Sequence, residues 1–244
     1  MTWVKICGMT NLEDALCAVE AGADAVGFVF CAKSPRNVSV DTARQIIEQL
    51  PEETEKIGVF IHGEHDPTDI LFKSGLTGTQ TYISGEGNDR GVSGRAIGMG
   101  LLPKKARFMM AVPMKFMGND EEQIQASASN FAKWGKNIPG EVSIPDGLLS
   151  TFVLDSGDVA LPGGTGKIFD WRKAVPIAEG MRQGGVKLVV AGGLTPANVG
   201  EAISILQPWG VDVVSGVEAS PGKKDPEKVR AFVRAVREID RKAS

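Results

Sequence analysis

The sequence predicts a single (β/α)8 TIM barrel over residues 1–244, with irregular or inserted segments around strands four to six. Two observations support this fold. Short apolar, β-branched runs alternate with amphipathic helical patterns, and this alternation is typical of a parallel sheet built from βα units. The chain has 244 residues, and α/β barrels of this length commonly form one domain.

Eight apolar runs have the composition of buried strands. In chain order they lie at residues 4–8, 25–30, 56–61, 79–84, 108–112, 151–156, 187–193 and 210–216. The centre of the chain is the least regular part. Segments 85–105 and 115–147 contain many glycines and several prolines, so we expect loops or insertions there, interrupted by one helix.

Helix signals fall between these strands. Thr10, followed three residues later by Glu13, has the pattern of a capping box with Thr10 as the N-cap, and the helix is expected to end near Gly22. Thr195 and Pro196 fit an N-cap and a first helical position after strand seven. Amphipathic patterns predict further helices at 40–50, 120–134, 170–183 and 226–241.

Composition limits the kinds of partner. The formal net charge is −3, and the sequence has no dense Lys/Arg patch with interleaved aromatics, which argues against nucleic acid. The N-terminus lacks a charged segment followed by a long apolar one, so we expect no signal peptide and no membrane span. The three cysteines Cys7, Cys17 and Cys31 favour free thiols in the cytoplasm.

Two residues at predicted strand ends are candidates for acid/base chemistry. Cys7 ends strand one and Asp155 ends strand six, and the C-terminal strand ends of such barrels hold the active site. Lys5 lies two residues before Cys7 on the same strand face, so we expect it and the nearby helix N-terminus to lower the pKa of Cys7. Burial is expected to raise the pKa of Asp155.

Three glycine loops have a phosphate-binding character. Gly192-Gly193 follows strand seven and Ser215-Gly216 follows strand eight, which is the recurring phosphate site of this fold. Gly164 and Gly166 lie in a glycine-rich stretch after Asp155. That stretch is not a P-loop, because Leu161 and Ile168 stand where a glycine and a Ser or Thr are needed.

Taken together and in order, the motifs resemble the phosphoribosylanthranilate isomerase family of tryptophan biosynthesis. They span both ends of the chain and leave residues 77–150 poorly covered. The segments that carry the resemblance are Lys5-Ile6-Cys7-Gly8-Met9-Thr10, Ser34-Pro35-Arg36, Gly58-Val59-Phe60, Leu154-Asp155-Ser156, Gly163-Gly164-Thr165-Gly166-Lys167, Phe169-Asp170-Trp171, Ala191-Gly192-Gly193-Leu194 and Val211-Asp212-Val213-Val214-Ser215-Gly216-Val217-Glu218.

The resemblance implies a (β/α)8 barrel that catalyses an Amadori rearrangement of N-(5-phosphoribosyl)anthranilate without metal or redox cofactor. Asp155 would be the general acid and Cys7 the general base. Lys5 would bind the substrate, Arg36 would hold the anthranilate carboxylate and Asp212 a polar group of the substrate. The glycine loops would bind the phosphate, and the protein would be a monomer or a homodimer.

The sequence also departs from the family pattern. The family usually has Gln-Leu-His-Gly at strand four, and we match this motif to Tyr82-Ile83-Ser84-Gly85, so a polar His is lost from the barrel mouth. The family is also usually shorter than this chain. An altered substrate preference is therefore a hypothesis.

Other functions remain possible on the sequence alone. A related sugar-phosphate isomerase of histidine biosynthesis would need a second phosphate site and typically has Asp at the position of Cys7. A non-catalytic barrel would bind a phosphorylated metabolite without turnover. A metal site at His62 and His65 is not expected, because these residues lack a helical ligand spacing and lie in a polar loop.

Overall fold

The computed structural model describes residues 1–61, 67–82, 106–118, 120–134, 151–157 and 168–243. Within these residues, eight parallel strands form a closed barrel in chain order, with β1 paired to β8. This confirms the predicted (β/α)8 barrel. The strands are β1 (Trp3–Cys7), β2 (Ala25–Phe30), β3 (Glu55–Ile61), β4 (Gly78–Tyr82), β5 (Arg107–Pro113), β6 (Thr151–Asp155), β7 (Lys187–Val190) and β8 (Gly210–Val213).

Helices follow most of these strands. Residues 218–224 form a small antiparallel pair of strands, β9 (Glu218–Ser220) and β10 (Lys223–Lys224). No helix in the described ranges is both long enough and apolar enough to cross a membrane. The helices are α1 (Leu12–Glu20), α2 (Val40–Ile47), α3 (Pro67–Ser74), α4 (Glu121–Trp134), α5 (Val175–Gln183), α6 (Val199–Leu206) and α7 (Pro226–Ala243).

Strand residues alternate between two apolar layers. Phe28 and Phe30 of β2 pack outward in the cluster that includes the helices, whereas Val29 between them belongs to the cluster inside the barrel. All six residues of β2 are buried, because one face meets helices and the other meets the opposite strands. A continuous apolar run is therefore what this strand requires.

The first helix begins one residue later than the capping-box pattern predicts. Asn11 is the N-cap, and its Oδ1 accepts a hydrogen bond from the backbone N–H of Asp14 at 2.9 Å. The predicted cap, Thr10, instead donates its hydroxyl hydrogen to the carbonyl of Gly222 at 2.5 Å. A contact 212 residues away in sequence therefore replaces the local one, so the prediction for Thr10 was wrong.

Two other helix starts also differ from the predictions. α6 begins at Val199, since residues 195–198 form a turn in which Asn198 Oδ1 accepts the backbone N–H of Thr195 at 2.7 Å. The prediction that Thr195 and Pro196 begin this helix was therefore wrong. α5 begins at Val175 rather than near Asp170, because residues 171–174 form turns. α3 was not predicted, while α4 agrees with the predicted helix at 120–134.

Helices α4 and α5 pack backbone to backbone at two glycines. A Cβ at Gly180 would overlap the carbonyl oxygen of Ala128, and one at Gly184 would overlap that of Phe131. The close packing of α4 against α5 therefore requires glycine at both positions. Because backbone atoms cannot move aside as a flexible side chain can, neither site can accept a methyl group without separating the helices.

We predict that Gly180→Ala destabilises the protein although alanine favours helix formation. Forced separation of α4 and α5 should cost about 1–3 kcal/mol and lower Tm by roughly 3–10 °C, measured by thermal unfolding. Gly200→Ala in α6 is the matched control, because its Cβ would meet only the side chain of Ile239 at 3.3 Å. An equal or higher Tm for Gly180→Ala than for the control would contradict the prediction.

Candidate active site

A cavity opens at the C-terminal ends of the barrel strands. Both predicted acid/base residues, Cys7 and Asp155, line it. Arg36 and Asp212 also line it, as do the loops after β7 and β8. The structure therefore brings together residues that are more than 200 positions apart in the sequence, as the barrel fold requires.

Cys7 ends β1 and is 3% exposed. Gly27 on the neighbouring strand gives it room, because a Cβ there would overlap Cys7 Sγ and lie 3.0 Å from Lys5 Cε. Burial raises the pKa of Cys7, while the charges of Lys5 and Lys224 oppose this rise without outweighing it. The prediction of a lowered pKa was therefore wrong: the sequence showed the cation but not the depth of burial.

Lys5 lies beneath the cavity, fully buried, and forms an ion pair with Asp212. Its Nζ donates to Asp212 Oδ2 at 2.7 Å and to Gln80 Oε1 at 3.1 Å. Burial alone would lower the pKa of Lys5, but Asp212 and Cys7 together raise it, so the ammonium group stays charged. The other oxygen, Asp212 Oδ1, is buried and has no hydrogen-bond partner among the described residues.

Asp155 ends β6 and is 2% exposed. Its Oδ1 accepts the backbone N–H of Gly157 at 2.9 Å, and its Oδ2 accepts the hydroxyl hydrogen of Tyr82 at 2.5 Å. Burial raises the pKa of Asp155, and the nearby Asp212 adds to the rise, whereas the two hydrogen bonds and Lys5 act against it. The predicted direction is confirmed, and a buried carboxyl with a raised pKa retains its proton to higher pH.

Tyr82 is a site residue that the sequence analysis did not identify. It ends β4, lies on the same strand face as Gln80 and lines the cavity. Of the residues matched to the family's strand-four motif, Tyr82-Ile83-Ser84-Gly85, the structure describes only Tyr82. The alternation of β4 could have revealed this site residue, since Gln80 and Tyr82 share one face.

Arg36 lies in the loop after β2, is 6% exposed and lines the cavity. Its guanidinium group makes a bidentate pair with Glu218, with Nε to Oε1 at 2.8 Å and Nη2 to Oε2 at 2.7 Å. Lys224 Nζ also donates to Glu218 Oε1 at 3.2 Å. Glu218 therefore fixes the plane of the Arg36 guanidinium, because a bidentate pair allows only one orientation.

The loops after β7 and β8 meet at the predicted phosphate site. Gly192 and Gly193 both have positive φ, 83° and 64°, which glycine adopts without strain. A Cβ at Gly216 would overlap the carbonyl oxygen of Leu194, so the two loops touch through their backbones. Ser215 and Gly216 also line the cavity. Gly164 and Gly166 lie outside the described residues.

No metal ligand cluster is present in the described parts of the chain: no group of three or more His, Cys, Asp or Glu residues is placed to hold an ion. His62 and His65 lie outside the described residues. The three cysteines are buried free thiols, with Cys17 on α1 and Cys31 after β2.

The fold and the cavity define a class of protein: a (β/α)8 barrel with a buried carboxyl group and a buried thiol at its C-terminal mouth. A family model described as N-(5′-phosphoribosyl)anthranilate isomerase matches residues 4–72 and 142–235. The chain belongs to this family. The unmatched centre agrees with the region in which the sequence resemblance was weak.

Individual relatives cover nearly the whole chain. An N-(5′-phosphoribosyl)anthranilate isomerase of Geobacter sp. (strain M21) is 38% identical over 239 residues, which are 98% of this chain and 100% of the relative. A crystal structure of phosphoribosyl anthranilate isomerase in complex with reduced 1-(o-carboxyphenylamino)-1-deoxyribulose 5-phosphate has a TM-score of 0.70 and 33% identity, covering 98% of this chain and 100% of that one.

A third similar structure bears on assembly. It is described as mutually generated monomers of the dimeric isomerase from Thermotoga maritima, with a TM-score of 0.69 and 32% identity, and covers 98% of this chain and 100% of that one.

We predict that Lys5→Met lowers the free energy of unfolding by about 3–5 kcal/mol, because it leaves the buried charge of Asp212 unpaired. Urea unfolding measures this change. The double variant Lys5→Met/Asp212→Leu removes both charges and should recover most of the loss. If the double variant is as unstable as the single one, the ion pair is not the source of the effect.

We also predict that Cys7 ionises above the ordinary thiol pKa of about 8.5, because burial outweighs the nearby cations. The thiolate absorbs in the ultraviolet, so a pH titration of the Cys17→Ala/Cys31→Ala background reports Cys7 alone. Adding Cys7→Ala to the same background should abolish the titration. A midpoint below 8.5 would restore the lowered pKa that the sequence suggested.

Proposed function

We propose that this protein isomerises N-(5′-phosphoribosyl)anthranilate to 1-(2-carboxyphenylamino)-1-deoxyribulose 5-phosphate in tryptophan biosynthesis. The observation that carries the proposal is that Cys7, Asp155 and the paired glycine loops after β7 and β8 line one and the same cavity. Family membership supports the same reaction. Neither step described below requires a redox cofactor, since the rearrangement moves protons within one substrate.

Asp155 is the proposed general acid. It gives its proton to the furanose ring oxygen, the bond between that oxygen and C1′ breaks, and a Schiff base forms with the anthranilate nitrogen. A carboxyl group can do this near neutral pH only if its pKa is raised. Burial supplies that condition for Asp155.

Cys7 is the proposed general base. As the thiolate it removes the proton at C2′, and the electron pair released forms the enolamine, which then tautomerises to the ketone. Lys5 and Lys224 stabilise the thiolate, although burial favours the neutral thiol. The competent enzyme thus needs a protonated Asp155 and an ionised Cys7 together. The raised pKa of Asp155 keeps the acid protonated and so favours this combination. The raised pKa of Cys7 lowers the fraction of thiolate and so limits it.

The remaining site residues are proposed to bind substrate. Arg36, already oriented by Glu218, would use its remaining N–H groups to hold the anthranilate carboxylate. The unpartnered oxygen Asp212 Oδ1 would accept a hydrogen bond from a substrate hydroxyl. Lys5 lies beneath the cavity, where its charge would stabilise the Cys7 thiolate and its ion pair would hold Asp212 in place.

Phosphate binding is proposed for the glycine loops. Gly192, Gly193, Ser215 and Gly216 all line the cavity, and glycine backbone can approach an anion closely. Gly164 and Gly166 are also proposed to bind the phosphate, but the sequence alone supports their role, since both lie outside the described residues.

Assembly, domain extent and location are part of the proposal. Residues 1–244 would form one domain that works in the cytoplasm as a monomer or a homodimer. Free thiols and a biosynthetic family support a reducing compartment, and the dimeric relative from Thermotoga maritima supports the homodimer.

We predict that wild type consumes freshly generated phosphoribosylanthranilate, which is followed by the loss of its fluorescence. Cys7→Ser and Asp155→Asn should each lower kcat by a factor of about 10² to 10⁴, the range that a positioned acid or base contributes. Both changes keep side-chain size, so substrate binding should persist.

One control variant and two alternative outcomes separate this function from the other candidates. Cys17→Ser changes a thiol on α1, outside the cavity, and should leave kcat unchanged. If wild type binds the substrate without turnover, the protein is a binding barrel. If it instead converts the two-phosphate aminoaldose of histidine biosynthesis, the related isomerase is the correct assignment.

A further inference from the structure

The hydroxyl of Tyr82 is the only side-chain donor to Asp155 in the hydrogen bonds of the described residues. The O–O distance of 2.5 Å is at the short end of the range for O–H···O bonds. Tyr82 is 2% exposed, so water does not compete for this bond. The two residues are 73 positions apart.

The Asp155 carboxyl is enclosed on its other sides as well. The backbone N–H of Gly157 holds Oδ1, and a Cβ at Gly192 would lie only 2.7 Å from the same oxygen. Each carboxyl oxygen of Asp155 thus has one protein donor. The backbone at Gly192, in the loop after β7, limits the movement of Oδ1 in one direction. The rotamer of Asp155 is set by these contacts, and only the Tyr82 contact comes from a side chain.

We propose that Tyr82 is a positioning residue, whose hydroxyl holds the carboxyl of Asp155 in the orientation needed for proton transfer. Its importance for catalysis rests on the proposed isomerase function.

The same hydrogen bond affects ionisation. By donating to Oδ2, Tyr82 stabilises the charged form of Asp155 and lowers its pKa against the larger effect of burial. The other groups that act on Asp155 are Asp212 on β8, which raises the pKa, and Lys5 on β1, which lowers it. Cys7 and Asp212 also act on Tyr82, whose own pKa burial raises well above 10. Tyr82 therefore remains protonated and keeps its donor.

The experiment compares wild type with Tyr82→Phe, which removes the hydroxyl and keeps the ring. Protein labelled with ¹³C at the aspartate carboxyl carbon is titrated by NMR, and the signal that is lost in Asp155→Asn identifies Asp155. We expect the midpoint of Asp155 to move to higher pH in Tyr82→Phe, because the carboxylate has lost a donor. An unchanged or lower midpoint overturns the proposal.

Activity adds a second readout. In Tyr82→Phe, kcat should fall about 10- to 100-fold, a loss comparable to other misplaced catalytic groups, with little change in KM. The limb of the kcat pH profile that follows the ionisation of Asp155 should move to higher pH, together with the NMR midpoint. A tyrosine that only fills space would leave both limbs and the midpoint where they are in wild type.

Thr81→Val is the matched control, since it removes a hydroxyl from the opposite face of the same strand. It should change neither the midpoint nor kcat. Thermal unfolding of Tyr82→Phe checks that the barrel is folded at the temperature of each assay. If wild type fails to turn over phosphoribosylanthranilate, the proposed function fails, yet the NMR titration still decides whether Tyr82 controls Asp155.

Discussion

The buried ion pair between Lys5 and Asp212 is the interaction on which the site depends. The two residues are paired in register across β1 and β8, where the first and last strands meet and close the barrel. Both side chains are almost completely buried, with exposures of 0% and 3%, so each charge is stabilised mainly by the other. The pair therefore couples closure of the fold to the charge of the site, since Lys5 also stabilises the Cys7 thiolate and Asp212 raises the pKa of Asp155.

Much of the fold could be predicted from the sequence, because strand composition and βα alternation are local signals. The same signals placed Cys7 and Asp155 at strand ends, and the barrel topology then places both at one mouth. The failures involve long-range contacts. Thr10 was assigned a local cap, whereas its hydroxyl binds Gly222, and no local pattern near Arg36 shows that Glu218 would be its partner.

Burial explains the other errors at the site. A lysine two residues from a cysteine suggests a thiolate, but whether charge or desolvation prevails depends on how much protein surrounds the pair, and desolvation prevails at Cys7. The role of Tyr82 also depends on a long-range contact. Its hydroxyl donates to a buried carboxyl group 73 positions away in the sequence, and no local pattern shows that pairing.

The contact between Gly216 and the carbonyl of Leu194 has a consequence for protein engineering. Since the backbones of these two loops touch, a side chain larger than that of glycine at residue 216 fits only if the backbone at Leu194 moves as well. The loops after β7 and β8 have to be varied together, as one module.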